Sequence, residues 1–275
     1  MQQDLKIGIF DSGLGGLTVF KEIVNILPDY NYIYLGDSSR APYGDHSFDT
    51  IFKYTLECVE WLFKQDCELV ILACNTASAK ALRTIQQTVL PEKYPSKRVL
   101  GVIRPTAEVI GSLSKTKRIG VFGTRGTVLS NSYPLEIAHF FPEVEVYQQS
   151  CPMWVPLIEN KEHLDKGADF FVRKYIDELK VKERNIDVVL LGCTHYPLLA
   201  PSIKKYIGNN VQVVSQAHLV AKSLVDYLSR HLEIDVLLSK QHDMKFYTTG
   251  NAKQFNDQAS IFFDKEISSE SVSVI

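Results

Sequence analysis

The chain has 275 residues, 45% of them hydrophobic and 23% charged, which suits one large or two modest globular domains and excludes a miniprotein. Its 15 Gly and 11 Pro are too few for disordered or collagen-like sequence. Lys and Arg number 30 against 32 Asp and Glu, a net charge of −2, so no basic field gathers nucleic acid or an anionic membrane surface.

The start, Met1 to Lys6, is polar and the apolar stretch after it breaks at Asp11, so no leader is expected. No run approaches the roughly 18 apolar residues of a membrane span. The expected location is the cytoplasm. Short β-branched runs then alternate with helical stretches, which predicts βαβ units and an α/β fold built on parallel sheets. The first predicted strand, Lys6 to Phe10, ends in the loop Asp11-Ser12-Gly13-Leu14-Gly15-Gly16, and a helical stretch follows from Leu17 toward Leu27. This loop lacks both G-x-G-x-x-G spacing and the Lys-Ser/Thr ending of a phosphate loop. Asp11 at its tip would repel phosphate and suits a cation, either a substrate ammonium or a protonated histidine; helix capping is the plainer alternative.

The second strand, Tyr32 to Gly36, runs into Gly36 through Gly44, where turn formers could place backbone donors and the Tyr43 ring over a ligand, or could form an inert surface turn. Phe48, Ile51, Phe52, Leu56, Val59, Leu62 and Phe63 then recur at helical spacing, giving a packing helix with a structural Cys58. Strand Leu69 to Ala73 leads into Cys74-Asn75-Thr76-Ala77-Ser78. Further strands are predicted at Arg98 to Val102, Arg118 to Phe122, Val144 to Tyr147, Asp187 to Leu191, Val211 to Val214 and Lys245 to Thr249. The segment between Cys151 and Glu159 holds a thiol and a carboxylate but no assignable chemistry.

Two stretches repeat. Lys6 to Gly13 resembles Arg118 to Arg125, and Leu69 to Thr76 resembles Val188 to His195, at similar offsets. Two related α/β halves would meet with their strand C-terminal ends on a shared cleft, the usual ligand position in open sheets. Cys74 and Cys193 then sit at matched strand ends near helix N-termini, where backbone N–H groups and the dipole can lower a thiol pKa from about 8.5 toward neutrality. Either cysteine alone reads equally well as a small buried hydrophobe. Matched across a cleft, the pair suits a reaction that removes a proton from one face of a carbon and delivers another to the opposite face. Asn75, Thr76, Ser78 and Thr194 offer neutral donors for an amino-acid carboxylate, or simple helix caps. His195, two residues past Cys193, is placed to orient a ligand or relay a proton. Metal is disfavoured, because neither a C-x-x-C nor an H-x-x-x-H pair occurs. Five cysteines, odd in number and widely spaced, argue against a disulfide framework.

With these motifs in place, the sequence resembles the cofactor-independent aspartate/glutamate racemase family over nearly its whole length. The marks are Ile9 to Leu17, Gly36-Asp37 through Pro42-Tyr43-Gly44, Ala73 to Ser78 and Gly192-Cys193-Thr194-His195-Tyr196-Pro197, with weaker support from Cys151 to Glu159 and Tyr247 to Gly250. The resemblance implies two similar open-sheet domains related by pseudo-two-fold symmetry, with residues 1–97 and 209–275 in the first and 98–208 in the second. It implies interconversion of L- and D-glutamate without pyridoxal phosphate, any other cofactor or metal, supplying D-glutamate for peptidoglycan. Cys74 would take the α-proton of D-glutamate and Cys193 that of L-glutamate, assisted by Asp11 and His195. Substrate contacts would fall on Asp11, Ser12, Pro42, Tyr43, Gly44, Asn75, Thr76, Thr194 and His195, with Asp37 and Glu159 in support. A homodimer is compatible with it. Arg104 departs from the acidic residue more often found before Pro105, which bears on neighbouring contacts or assembly. Aspartate racemisation, non-catalytic amino-acid binding and covalent cysteine hydrolysis are the alternatives.

Overall fold

A computed structural model describes residues 4–275; Met1 to Gln3, part of the polar start weighed for a leader, lie outside the described residues. Ten strands form two sheets, and every pairing within them is parallel. The strands are β1 (Lys6–Asp11), β2 (Tyr32–Gly36), β3 (Cys67–Leu72), β4 (Arg98–Gly101), β5 (Arg118–Gly123), β6 (Glu145–Ser150), β7 (Val188–Gly192), β8 (Gln212–Ser215), β9 (Met244–Thr248) and β10 (Ser269–Ser271). The first sheet has the order β10-β9-β2-β1-β3-β4 and the second β6-β5-β7-β8. The second therefore reproduces the β2-β1-β3-β4 portion of the first, with β5 in the place of β1 and β7 in the place of β3.

The central strands β1, β2, β3 and β7 are buried along their whole length, which is why they read in sequence as unbroken apolar runs: helices cover both faces of a parallel sheet. One apolar cluster passes from sheet to sheet, with Ile7, Ile9 and Phe20 on one side and Phe122, Trp154 and Leu191 on the other. Two further clusters fill the far face of each sheet.

The packing helix forms as Phe48–Lys64, begun by Ser47, whose hydroxyl accepts from Thr50 N–H. Its buried stripe holds Ile51, Thr55, Cys58, Val59, Leu62 and Phe63, whereas Phe48, expected on the apolar face, is half exposed at the first turn before the helix docks. Both expected domain boundaries fall one strand away from the sheets: Arg98–Gly101 pairs with β3 in the first sheet, and Gln212–Ser215 pairs with β7 in the second. Hydrogen bonding along a partner decides membership, and no breaker in the sequence reports it. The chain leaves the first sheet after Gly101 and re-enters it after Ser215. Among the described residues no helix is long and apolar enough to cross a membrane.

Candidate active site

Asp11 closes β1 and is fully buried. Cys74 stands two residues past β3 in an extended conformation, as the N-cap of helix Asn75–Lys80, and its carbonyl accepts the first helical bond from Ser78 N–H at 2.9 Å. Cys193 follows β7 directly, but what comes next is the 3₁₀ turn Tyr196–Leu199, and the α-helix begins only at Ala200. The helix-end setting expected for both thiols therefore exists for Cys74 alone; Pro197 in the turn accounts for the difference, since it cannot donate a helical bond.

At Cys74 burial outweighs the helix end. Desolvation pushes its thiol up to about 12, the Asp11 and Cys193 charges add to that, and the Ser12 hydroxyl and the Ala77 N–H work against it. The Cys74 Sγ lies 3.5 Å from Ser12 Oγ. Cys193 keeps different company. Its Sγ is 3.9 Å from His195 Nδ1, and His195 Nε2 is 3.0 Å from Glu159 Oε1. Burial alone would lower the His195 pKa; hydrogen bonding to Cys193 and Glu159 and their negative charge raise it to about 10. Asp11 is raised by burial, while the His195 charge and the Gly13 and Gly16 amides oppose that. The N–H of Gly13 donates to Asp11 at 3.0 Å. Gly15 admits the His195 loop: a Cβ there would stand 2.3 Å from both His195 Nδ1 and Thr194 Oγ1.

The two sheets exchange hydrogen bonds crosswise. Thr194, on the second sheet's cysteine loop, donates its hydroxyl to Asp11 at 3.3 Å, and Thr18 donates to the Thr194 carbonyl at 3.0 Å. Thr76, on the first sheet's cysteine loop, has its hydroxyl 2.9 Å from that of Thr124, which caps the helix Arg125–Ser130 after β5. Each sheet's first loop thus holds the other sheet's cysteine loop. Between them lies a cavity of about 30 Å³ lined by Ser12, Pro42, Tyr43, Gly44, Cys74, Asn75, Thr76, Glu159, Cys193, Thr194 and His195, together with Ala41, Thr124 and Val155. That is room for one or two waters, less than an amino acid occupies.

Some expected roles shift. The Tyr43 ring is buried against Phe10 and Tyr54 and its hydroxyl donates to Asp37, so Tyr43 offers backbone rather than a ring over the cavity. Asp37 faces away from it and gathers Tyr43, Arg40 at 2.7 Å and Thr249 at 2.7 Å. Asp11 lies beneath the lining with both carboxylate oxygens engaged. Ser78 is structural, donating to Leu72 O at 2.8 Å. Cys58, Cys67 and Cys151 are buried, and burial raises each thiol. Arg104 pairs with Glu108 on a helix surface. Thr124 and Val155 are lining residues that sequence reasoning passed over, and Thr124 had a signal: it occupies the place of Ser12 in the repeated segment. Among the described residues no three His, Cys, Asp or Glu side chains converge as a metal cage. A larger cavity, about 290 Å³, lies at the far end of β7 and β8 among Ile176, Leu179 and Ile207, and includes none of these residues.

The sequence profile of Asp/Glu/Hydantoin racemase matches residues 7–224. The curated glutamate racemase of Roseobacter denitrificans is 42% identical over 273 residues, 96% of this chain and 98% of that one. Among solved structures, glutamate racemase isoform RacE1 from Bacillus anthracis superposes with a TM-score of 0.88 at 34% identity, covering 98% of this chain and 97% of the other. The glutamate racemase of Francisella tularensis, solved in complex with D-glutamate, gives 0.86 at 32% identity, with 98% of each chain covered.

Proposed function

The chain belongs to the Asp/Glu/Hydantoin racemase family, and from that membership we propose that it interconverts L- and D-glutamate by proton transfer between Cys74 and Cys193. The observation that carries this reading is that two cysteines from equivalent strand ends, β3 and β7, line one cavity between the sheets. The Cys193 sulfur takes the α-proton of L-glutamate as the Cα–H bond breaks, and the electron pair passes into the α-carboxylate as an enolate. The S–H of Cys74 then delivers its proton to the opposite face. The reverse direction exchanges the roles, and no step calls for pyridoxal phosphate or a metal ion. The Ser12 and Thr76 hydroxyls and the backbone N–H groups at Asn75 and Thr194, whose side chains are engaged by Tyr133 and Gln216 and by Asp11, bind the substrate's carboxylates, with backbone of Pro42, Tyr43 and Gly44 and the Thr124 hydroxyl alongside. His195, held by Glu159, orients Cys193 and trades a proton with it. Asp11 fixes the Thr194 loop, and Asp37 fixes the Tyr43 loop. The product serves peptidoglycan synthesis in the cytoplasm.

The test is incubation of metal-free, cofactor-free protein with L-glutamate in D₂O, following optical rotation and α-deuterium together. Rotation decaying to zero with deuterium entering the α-carbon is the expected result. Untouched glutamate, or much faster turnover of aspartate, overturns the substrate assignment.

A further inference from the structure

Beside the thiols lies a closed ring of three buried hydrogen bonds. The Tyr133 hydroxyl donates to Asn75 Oδ1 at 2.5 Å, Asn75 Nδ2 donates to Gln216 Oε1 at 2.8 Å, and Gln216 Nε2 donates back to the Tyr133 oxygen. The ring would also close with both amides flipped, and the Val102 carbonyl, an acceptor only, fixes its direction by facing Gln216 Nε2. Gln216 also reaches Thr106 Oγ1 at 3.1 Å and Val102 O at 3.4 Å. Val102 follows the last strand before the chain crosses to the second sheet, and Gln216 follows the last strand before it returns.

Tyr133 is fully buried in the helix Ser132–Phe140 of the second sheet, yet it touches the neighbours of both thiols. Its hydroxyl holds Asn75, the residue after Cys74. Its ring edge meets Gly192, the residue before Cys193, so closely that a Cβ on Gly192 would stand 3.1 Å from Tyr133 Cε2. An apolar ring would fill this space without burying three polar side chains, whose desolvation is costly unless every partner is met. We propose that Tyr133, held by Gln216, is a positioning residue that sets the separation of the two thiols by bracing Asn75 against Gly192. The inference rests on the two-thiol reading of the site.

The experiment uses the full-length enzyme with Tyr133→Phe, which keeps the ring against Gly192 and releases Asn75, so the Cys74 side alone is loosened. Misplacement of a reacting group by a fraction of an ångström to an ångström costs roughly ten- to a hundredfold in turnover. The expected result is a kcat lower by that factor with KM nearly unchanged. kcat/KM falls equally from both enantiomers, because their equilibrium constant is one. The isotope effects then divide: with D-glutamate deuterated at Cα the substrate effect rises, and with L-glutamate the solvent effect rises, since both report transfer at Cys74. Gln216→Met, of similar volume, shows the same pattern more weakly and serves as the reading should Tyr133→Phe not fold. Wild-type kcat and isotope effects in a variant with a lowered melting temperature would overturn the inference and leave Tyr133 a packing residue. Normal racemisation by Cys74→Ser would instead overturn the two-thiol reading, whatever Tyr133 does.

Discussion

The two thiols occupy equivalent places in sheets of equivalent order, yet their surroundings share almost nothing. Cys74 caps a helix, lies beside the Ser12 hydroxyl and feels the buried Asp11 carboxylate. Cys193 precedes a 3₁₀ turn and has an imidazole at 3.9 Å, itself gripped by Glu159. A duplicated backbone supplies two proton carriers aimed at one cavity, and their unlike surroundings set apart the thiol that starts as acid from the one that starts as base. Only the second thiol has an imidazole beside it, one that its partners raise to about 10.

The comparison breaks most sharply at the thiols themselves. Cys74→Ser and Cys193→Ser should each lower racemisation by roughly 10³-fold with the fold retained, since a hydroxyl is far less acidic than a thiol; polarimetry checks this, and near-normal turnover in either variant removes the two-base mechanism. Next, His195→Asn should cost about 10²-fold in kcat, more than any change around Cys74 short of the sulfur. Gly15→Ala drives a methyl into His195 and Thr194, and should lower kcat about tenfold and stability by about 1–3 kcal/mol, read by thermal unfolding.

Smaller effects sharpen the contrast through pH. Glu159 helps raise His195 to about 10, so Glu159→Gln should move the alkaline limb of kcat/KM to lower pH. The same group links to stability. With its folded pKa above the unfolded value of about 6.5, the His195 contribution is complete below pH 6.5 and fades as pH rises toward 10; Glu159→Gln narrows that window from its upper end. Ser12→Ala should change kcat by only about threefold and raise the Cys74 thiol further, because the Ser12 hydroxyl is among the groups that lower it. A larger loss there than at His195 would invert the comparison.

Much of this was legible in the sequence. Strand runs ending in Asp11, Cys74 and Cys193, and the likeness between the two segments in each half, place the chemistry at matched strand ends on sequence alone. Other features carry no local signal. β10 is three polar residues, Ser269–Ser271, defined only by pairing with β9. The placing of β4 and β8 depends on which neighbour each strand bonds, a nonlocal fact. The height of the Cys74 pKa follows from burial in the folded chain, which outweighs the helix-end effect visible in sequence. Tyr133 and Gln216 lie far from any motif, and their ring closes only when both chain crossings come together.

The cavity of about 30 Å³ between the sheets gives the protein a history. On the two-thiol mechanism each turnover leaves the pair inverted, with the former base now carrying the proton. While the cleft is shut no solvent stream resets it, so the molecule that has just released D-glutamate is primed for D-glutamate and unready for L. Opening to release product therefore also begins the erasure of this record. When substrate is scarce the open form lingers and the record is lost between visits. When substrate is abundant, refilling outruns erasure, and a pulse of labelled L-glutamate is driven toward D, against the flux of an excess of unlabelled D-glutamate.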